Sequence, residues 1–254
     1  MEVRAKKYLG QHFLTDMSVA KAIAETLPVD NEMPVLEVGP GMGMLTQFLT
    51  AAFGNRLTAV EVDGESVDYL HGKWPELRVV AGDFLKINLK EMYGDSKFMV
   101  IGNYPYNISS QIFFKVLENR NQILVCSGMI QKEVAERIAA APGSKIYGIT
   151  SVLLQAFYDI EYVMTVHENV FNPPPKVKSA VIRMTRNDRE SLGCDEEMFI
   201  RIVKTAFNQR RKTMRNSLRP LLDDKIIDSD IFNSRPENLS VDGFVNLTNI
   251  ISGK

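Results

Sequence analysis

The segment from Leu36 to Gly43 most constrains the fold of this chain, because it places three glycines between a buried strand pattern and a helical pattern. Gly39, Gly41 and Gly43 lack side chains at positions where a ligand would approach the backbone, which is typical of the first strand, turn and helix of a nucleotide-binding sheet. Such a turn alone is weak evidence for any one ligand. It does predict that a parallel α/β sheet begins here.

Short β-rich runs alternate with helical runs through the first three quarters of the chain. Strands are predicted near 34–38, 57–62, 77–81, 98–101, 122–129, 161–166 and 180–184. Helices are predicted near 44–53, 66–73, 109–117, 132–140 and 147–157, and Thr15 or Asp16 would cap an earlier helix running to Leu27. This alternation favours a mostly parallel sheet with helices on both faces. Only helical patterns follow the polar segment 185–197, so we expect an α/β domain over 1–187 and a helical domain over 188–254.

Composition excludes several classes of protein. No apolar run is long enough to cross a bilayer and the N-terminus has no signal-peptide pattern, so we expect no membrane partner and a cytoplasmic location. The 2 cysteines and 3 histidines show no metal-ligand spacing, which predicts neither a disulfide scaffold nor a metal site.

A glycine turn and three acidic or amide side chains stand at the ends of four consecutive predicted strands. The glycine turn follows the first, Glu61 ends the second, Asp83 follows the third and Asn103 follows the fourth. Ligands of open α/β sheets bind at this edge, where Glu61 could hold ribose hydroxyls and Asp83 an adenine amine. A nicotinamide dinucleotide and S-adenosylmethionine both fit. Met44 occupies the place of the third glycine in the dinucleotide pattern, so S-adenosylmethionine is favoured.

The run from Asn103 to Tyr106 suits a pocket for an aminopurine base. The Asn103 side-chain oxygen can accept a hydrogen bond from an exocyclic amine, Pro105 stiffens the turn and directs its carbonyl, and Tyr106 offers a ring for stacking. Such a run is also common as a plain turn after a strand. The pocket interpretation depends on the cofactor pattern beside it.

Four segments resemble the KsgA-type small-subunit (16S) ribosomal RNA adenine dimethyltransferases, and the likeness covers nearly the whole chain. They are 9–16, 103–106, 171–179 and 206–218, of which the last is the most specific. The chain departs from that family at His12, where the family usually has asparagine, and at Tyr104, which replaces its common leucine.

The resemblance implies a Rossmann-like class I S-adenosylmethionine-dependent methyltransferase fold with a small C-terminal helical domain. It also implies dimethylation of N6 on two adjacent adenosines near the 3′ end of small-subunit rRNA. The implied partner is 16S rRNA in the small subunit or its precursor. Together with the glycine turn it predicts cofactor contacts at His12, Leu14, Gly39, Gly41, Glu61, Asp83 and Asn103. The predicted catalytic residues are Asn103, Pro105, Tyr106 and Phe171, with the target adenine stacked between Tyr106 and Phe171.

The segment from Met198 to Leu222 contains no acidic residue, although the net charge of the chain is only −1. Treated as one helix, it places apolar residues in one stripe and basic residues on a broad opposite face. We expect this face to bind rRNA phosphates through Arg211, Lys212, Arg215 and Arg219.

The sequence is also compatible with other functions. A large-subunit rRNA or DNA adenine methyltransferase would share the chemistry, and a non-catalytic ribosome-assembly or transcription factor could keep the basic face without the reaction. A nicotinamide oxidoreductase is the most distant alternative. Nothing in the sequence indicates an oligomer interface, so we expect a monomer.

Overall fold

A seven-stranded sheet and a separate two-stranded ribbon organise the protein, whose computed structural model describes residues 6–222 and 229–253. In chain order the strands are β1 (Phe13–Leu14), β2 (Val35–Val38), β3 (Leu57–Glu61), β4 (Arg78–Ala81), β5 (Phe98–Asn103), β6 (Ile123–Gln131), β7 (Tyr158–Val166), β8 (Phe171–Asn172) and β9 (Ser179–Arg186). All seven predicted strands are confirmed, with bounds that differ by a few residues.

The order of strands in the large sheet is β4-β3-β2-β5-β6-β9-β7. The pairs from β4 to β6 are parallel, whereas β9 runs antiparallel to β6. β2 and β3 are buried at every position, as expected for parallel strands covered on both faces. The carboxyl ends of the four parallel strands β4, β3, β2 and β5 therefore meet at one edge of the sheet.

Helices follow most of the strands. They are α1 (Met17–Ala24), α2 (Thr46–Phe53), α3 (Gly64–Lys73), α4 (Leu89–Tyr93), α5 (Ser109–Glu118), α6 (Lys132–Ala139), α7 (Ile149–Gln155), α8 (Glu196–Asn208), α9 (Met214–Ser217) and α10 (Val241–Ser252). Of the two predicted caps of α1, the structure uses Asp16, whose carboxylate accepts from the backbone N–H groups of Ser18 and Val19. None of the described helices has the length and apolar character needed to cross a bilayer.

The chain folds into two compact units. The first comprises 1–135 and 160–186, and the second comprises 136–159 and 187–254. The sequence predicts that 136–159 belongs to the first domain, but in the structure this stretch is bonded to the rest of the second unit. The N–H of Gly143 donates to the carbonyl oxygen of Glu237 at 2.6 Å, and Arg210 donates to the carbonyl oxygen of Ser144 at 3.2 Å. The functions assigned to the domains 1–187 and 188–254 stay predictions.

The prediction of one continuous basic helix over 198–222 is wrong. α8 ends at Asn208, a turn follows, and α9 begins only at Met214. Thr213 is extended, with φ −67° and ψ 159°, and the N–H of Met214 donates to the carbonyl oxygen of Ser234 at 2.8 Å. A hydrogen bond from another part of the unit thus overrides the helical pattern of the segment.

The ribbon formed by β1 and β8 was not predicted. Its register pairs Phe13 with Asn172 and Leu14 with Phe171, and the N–H of Thr15 donates to the carbonyl oxygen of Val170 at 2.8 Å. This pairing brings a segment near the N-terminus next to one more than 150 residues later. The ribbon therefore places His12 close to the loop that follows Asn172.

Candidate active site

A cavity of about 970 Å³, which includes the space at its open mouth, lies where the parallel strands end. Its lining includes every predicted cofactor residue and three of the four predicted catalytic residues: His12, Leu14, Gly39, Gly41, Glu61, Asp83, Asn103, Pro105 and Tyr106. Phe171 does not line it. Nine of the predicted site residues therefore line this cavity, which lies wholly within the first unit.

The glycine turn is fixed to the strand beside it. The N–H of Gly39 donates to the carbonyl oxygen of Val60, and Glu61 accepts from the N–H of Gly41 at 3.0 Å and of Asp63 at 2.9 Å. Gly41 has φ +56°, and a Cβ there would lie 3.0 Å from a ring carbon of Phe13. A side chain at this position would be strained and would press on the cavity wall.

Glu61 keeps hydrogen-bonding capacity although both of its oxygens are engaged. A carboxylate offers about four lone-pair sites, so the two backbone N–H groups leave room for ligand hydroxyls. Glu61 is only 4% exposed, and this burial raises the pKa of its carboxyl against the opposing effect of the backbone hydrogen bonds. The carboxylate of Glu61, the predicted ribose acceptor, is therefore held in place by the backbone N–H groups of Gly41 and Asp63.

Glu37 is a cavity residue that the sequence argument did not single out. It lies on β2 with 1% exposure and accepts a hydrogen bond from the hydroxyl of Thr46 at 2.7 Å. Desolvation raises the pKa of Glu37 to about 8, and the nearby Glu61 charge adds to the increase. A glutamate inside a wholly buried strand was the signal that could have revealed it.

Asp83 lies on the turn after β4, where its carboxylate accepts from the N–H of Leu85 at 2.9 Å. Phe84 lines the same part of the cavity with 4% exposure, and the ammonium group of Lys115 lies 5.2 Å from the centre of its ring. An acceptor beside an aromatic ring is the arrangement expected at an adenine position. Asp83 therefore lies in the cavity as the sequence predicted, and its contact with a cofactor stays a prediction.

The Asn103 amide is oriented by a contact made far along the chain. Its Nδ2 donates to the backbone carbonyl oxygen of His12 at 3.2 Å. With the amide held this way, Oδ1 is the end left to accept a hydrogen bond from a ligand. Pro105 accepts from the N–H of Ile108 at 3.2 Å, and a carbonyl oxygen has a second lone pair to offer.

Tyr104 anchors this turn from below. It is 1% exposed, its hydroxyl donates to the carbonyl oxygen of Ser127 at 2.8 Å, and its ring meets Phe113 edge-on. A Cβ at Gly128 would lie 2.6 Å from the Tyr104 ring and 2.1 Å from the carbonyl oxygen of Gly102. β6 can therefore carry only glycine beside this tyrosine. Tyr104, which stands where the resembled family commonly has leucine, therefore fills the space beneath this turn.

Tyr106 is held at two places. Its hydroxyl lies 2.5 Å from Oγ of the buried Ser179, and its ring stacks on that of His12 with a centroid separation of 5.5 Å and an interplanar angle of 25°. Burial raises the pKa of the Tyr106 phenol, and the Ser179 hydrogen bond opposes the increase. The Tyr106 side chain is therefore neutral, and its ring is fixed in the turn that follows β5.

The structure does not bring Phe171 to the cavity. Phe171 belongs to β8, is 4% exposed and packs in the apolar core of the first unit with Leu14. Its ring packs in that core and is not among the side chains that line the cavity. The ring that lies against Tyr106 is that of His12, and the stacking of a base between Tyr106 and Phe171 stays a prediction.

The predicted RNA-binding residues belong to the second unit. Arg211, Lys212 and Arg219 are exposed, whereas the guanidinium of Arg215 lies 5.7 Å from the centre of the Phe232 ring. Across residues 6–222 and 229–253, no cluster of three or more His, Cys, Asp and Glu side chains could hold a metal ion.

Known proteins resemble this chain over almost its whole length. A sequence profile described as "Ribosomal RNA adenine dimethylase" matches residues 2–252. A protein of Parabacteroides distasonis named "Ribosomal RNA small subunit methyltransferase A" is 62% identical over 99% of this chain and 95% of its own length.

Two solved structures share the fold. A dimethyladenosine transferase from Plasmodium falciparum superimposes with a TM-score of 0.77 at 23% identity, over 93% of this chain and 96% of its own. The 23S rRNA methyltransferase ErmE superimposes with a TM-score of 0.73 at 25% identity, covering 94% of this chain and 99% of its own. These two structures confirm the predicted class I methyltransferase fold, and the family match confirms its cofactor, S-adenosylmethionine. The cavity, the profile match and the 62% relative lead to one conclusion: this chain belongs to the ribosomal RNA adenine dimethylase family, a family of S-adenosylmethionine-dependent methyltransferases.

Proposed function

We propose that this protein transfers methyl groups from S-adenosylmethionine to N6 of two adjacent adenosines near the 3′ end of small-subunit (16S) rRNA, late in the biogenesis of the small ribosomal subunit. The observation that carries the reaction is the position of Asn103: its Oδ1 is free to accept in a cavity that also contains Gly41, Glu61 and Asp83. The name of the 62% relative supports the choice of subunit.

The cavity fits the cofactor by its open backbone and its donor set. Gly39 has φ +69° with open space where a Cβ would stand, so the backbone can be approached closely there. Glu61 would accept from the ribose hydroxyls and Asp83 from the adenine amine. When bound, S-adenosylmethionine supplies an electrophilic methyl group on sulfur.

The target amine would be oriented by two acceptors. An exocyclic amine is a poor nucleophile because its lone pair is delocalised into the ring. Asn103 Oδ1 and the Pro105 carbonyl would accept its hydrogens and direct the lone pair towards the methyl group. These oxygens also favour the positive charge that develops on nitrogen, so orientation and electrostatics supply the rate. Formation of the N–C bond would break the methyl–sulfur bond and leave a neutral thioether. The methylated nitrogen, now acidic, would then release its proton to solvent, so no strong base is required.

Tyr106 would receive the target adenine once it leaves its own stack. Extruding a base costs a few kcal/mol, and stacking on one aromatic ring returns about 1–3 kcal/mol. Because the Tyr106 ring is already fixed by Ser179 and His12, it loses little side-chain freedom when the base arrives. Phe171 stays a predicted second stacking partner that would have to leave the core.

The exposed side chains of Arg211, Lys212 and Arg219 would bind rRNA phosphates, and Arg215, whose guanidinium lies over the Phe232 ring, would be the fourth contact. Since no acidic residue lies between 198 and 222, nothing within this segment neutralises them. We further propose that the protein acts as a monomer in the cytoplasm, where the assembling subunit provides its substrate.

The test is methyl transfer from labelled S-adenosylmethionine to unmethylated small ribosomal subunits, followed by mass analysis of the nucleosides. The wild type should yield N6,N6-dimethyladenosine. Asn103→Ala should lose at least about a hundredfold in rate, because a preorganised acceptor at the reacting group is removed. Asn121→Ala, an exposed asparagine of the same unit, is the matched control and should keep the wild-type rate.

A large-subunit rRNA methyltransferase is the second candidate, and the fold shared with ErmE favours it specifically. The same assay with unmethylated large-subunit RNA distinguishes the two: incorporation there and none in small subunits would overturn the proposed substrate. Tight binding of cofactor and subunits without any transfer would indicate a non-catalytic assembly factor.

A further inference from the structure

His12 makes three separate contacts around the base pocket. Its backbone carbonyl accepts from Asn103, its ring stacks on Tyr106, and its Nδ1 lies 2.8 Å from the carbonyl oxygen of Pro173. A carbonyl oxygen can only accept, so Nδ1 carries the proton and donates. The contact with Asn103 uses the backbone and would survive any side chain, whereas the other two contacts require what this side chain provides.

We propose that the imidazole of His12 is a positioning residue that holds the Tyr106 ring in place for the target adenine. The inference rests on the proposed function. It assigns a role to a side chain that differs from the asparagine usual in the KsgA-type enzymes. An imidazole at this position gives the Tyr106 ring an aromatic neighbour, which the asparagine usual in that family would not.

The ribbon explains why His12 can do this. Phe13 pairs with Asn172, so the residue before Phe13 lies beside Pro173 and its Nδ1 reaches the Pro173 carbonyl. The hydrogen bond fixes the plane of the imidazole, and the imidazole covers the Tyr106 ring at an angle of 25°.

The Tyr106 side chain is thereby restrained at two points, its hydroxyl and its ring. Ser179, which is fully buried, holds the hydroxyl, and His12 holds the ring. A ring fixed in this way keeps its other surface available to a base without first searching its rotamers. The aromatic pair, and not the polar edge of His12, is the element that acts on the reaction.

Two substitutions separate the ring from the hydrogen bond. His12→Asn keeps an N–H donor near the Nδ1 position and removes the ring. His12→Phe keeps a ring for Tyr106 and removes the donor to Pro173. His12→Ala removes both, and His167→Asn, at an exposed histidine of the same unit, is the matched control.

The experiment measures the single-turnover rate of methyl transfer to unmethylated small subunits, together with the affinities for S-adenosylmethionine and for subunits. We expect His12→Ala and His12→Asn to slow transfer by about two- to tenfold, the range that an aromatic pair supports. His12→Phe should recover most of that loss. Both affinities should stay within about twofold of the wild type, because the backbone carbonyl that holds Asn103 is unchanged and phosphate contacts dominate RNA affinity.

Wild-type transfer by His12→Asn would overturn the inference, since the ring would then be dispensable. A loss in cofactor affinity that matches the loss in rate would also overturn it, because the side chain would then act through the cofactor site. Absence of transfer by the wild-type protein would instead refute the proposed function, so the two failures are distinguishable.

Discussion

Glu37 should make the stability of this protein fall as pH rises through the neutral range. Its carboxyl is 1% exposed, and burial raises its pKa from 4.5 to about 8. In the unfolded chain the group ionises near 4.5, whereas in the folded protein it keeps its proton to about pH 8. Stability is therefore fully present below pH 4.5 and is lost progressively until pH 8 is passed.

The size of the effect follows from the distance between the two pKa values. Each pH unit in this window costs about 1.4 kcal/mol of the free energy of unfolding. Between pH 5 and pH 8 the wild type should lose about 4 kcal/mol through Glu37 alone, a large part of the 5–15 kcal/mol typical of a folded domain.

Glu37→Gln should remove this dependence. A glutamine cannot ionise, and its amide oxygen can still accept the hydrogen bond from Thr46. Urea unfolding at several pH values is the assay. The variant should be close to the wild type at pH 5 and more stable by about 4 kcal/mol at pH 8. Glu61 is present in both proteins, so the difference between them reports the titration of Glu37 together with its coupling to Glu61.

Glu76→Gln, a change at an exposed glutamate, is the control and should follow the wild-type curve. Parallel curves for Glu37→Gln and the wild type between pH 5 and pH 8 would refute the reasoning. They would mean that the carboxyl is either ionised in the folded protein or solvated by water that reaches it.

Two further predictions concern the anchor under the site and the basic surface. Tyr104→Phe should lower the free energy of unfolding by about 1 kcal/mol, because the hydroxyl bond to Ser127 is lost while the ring stays; an unchanged urea midpoint would contradict this. Arg211→Gln with Lys212→Gln should weaken rRNA binding and reduce the slope of log affinity against log salt by about 2. Lys90→Gln, at an exposed lysine of the other unit, is the control and should change neither quantity. Equal slopes for the wild type and both variants would show that Arg211 and Lys212 do not bind phosphate.

The sheet could be predicted because its signals are local. Each buried strand is a short apolar run, and the ends of consecutive parallel strands must meet at one edge, which is enough to bring Glu61, Asp83 and Asn103 together from sequence alone. The break between α8 and α9 had no comparable local signal. It depends on Met214 donating to Ser234, a contact that the helical periodicity of the segment cannot reveal.

For the candidate site, the sequence likewise predicted which residues belong to it but not how their side chains are oriented. Sequence predicted that Asn103 and Tyr106 belong to the pocket, because residue type and strand position carry that information. It could not predict their orientation, since the amide of Asn103 is set by a carbonyl 91 residues away and the hydroxyl of Tyr106 by Ser179, 73 residues away.

The contacts that His12 makes with the pocket depend on segments that the β1–β8 ribbon brings together. The ribbon pairs the strand after His12 with the strand before Pro173, so one short pairing fixes the backbone that orients Asn103 and the imidazole that faces Tyr106. A change that disrupts this pairing should therefore disturb the acceptor and the stacking ring together, although neither residue belongs to the ribbon. The arrangement of Asn103 and Tyr106 therefore depends on a pairing between two distant chain segments, which neither segment alone can reveal.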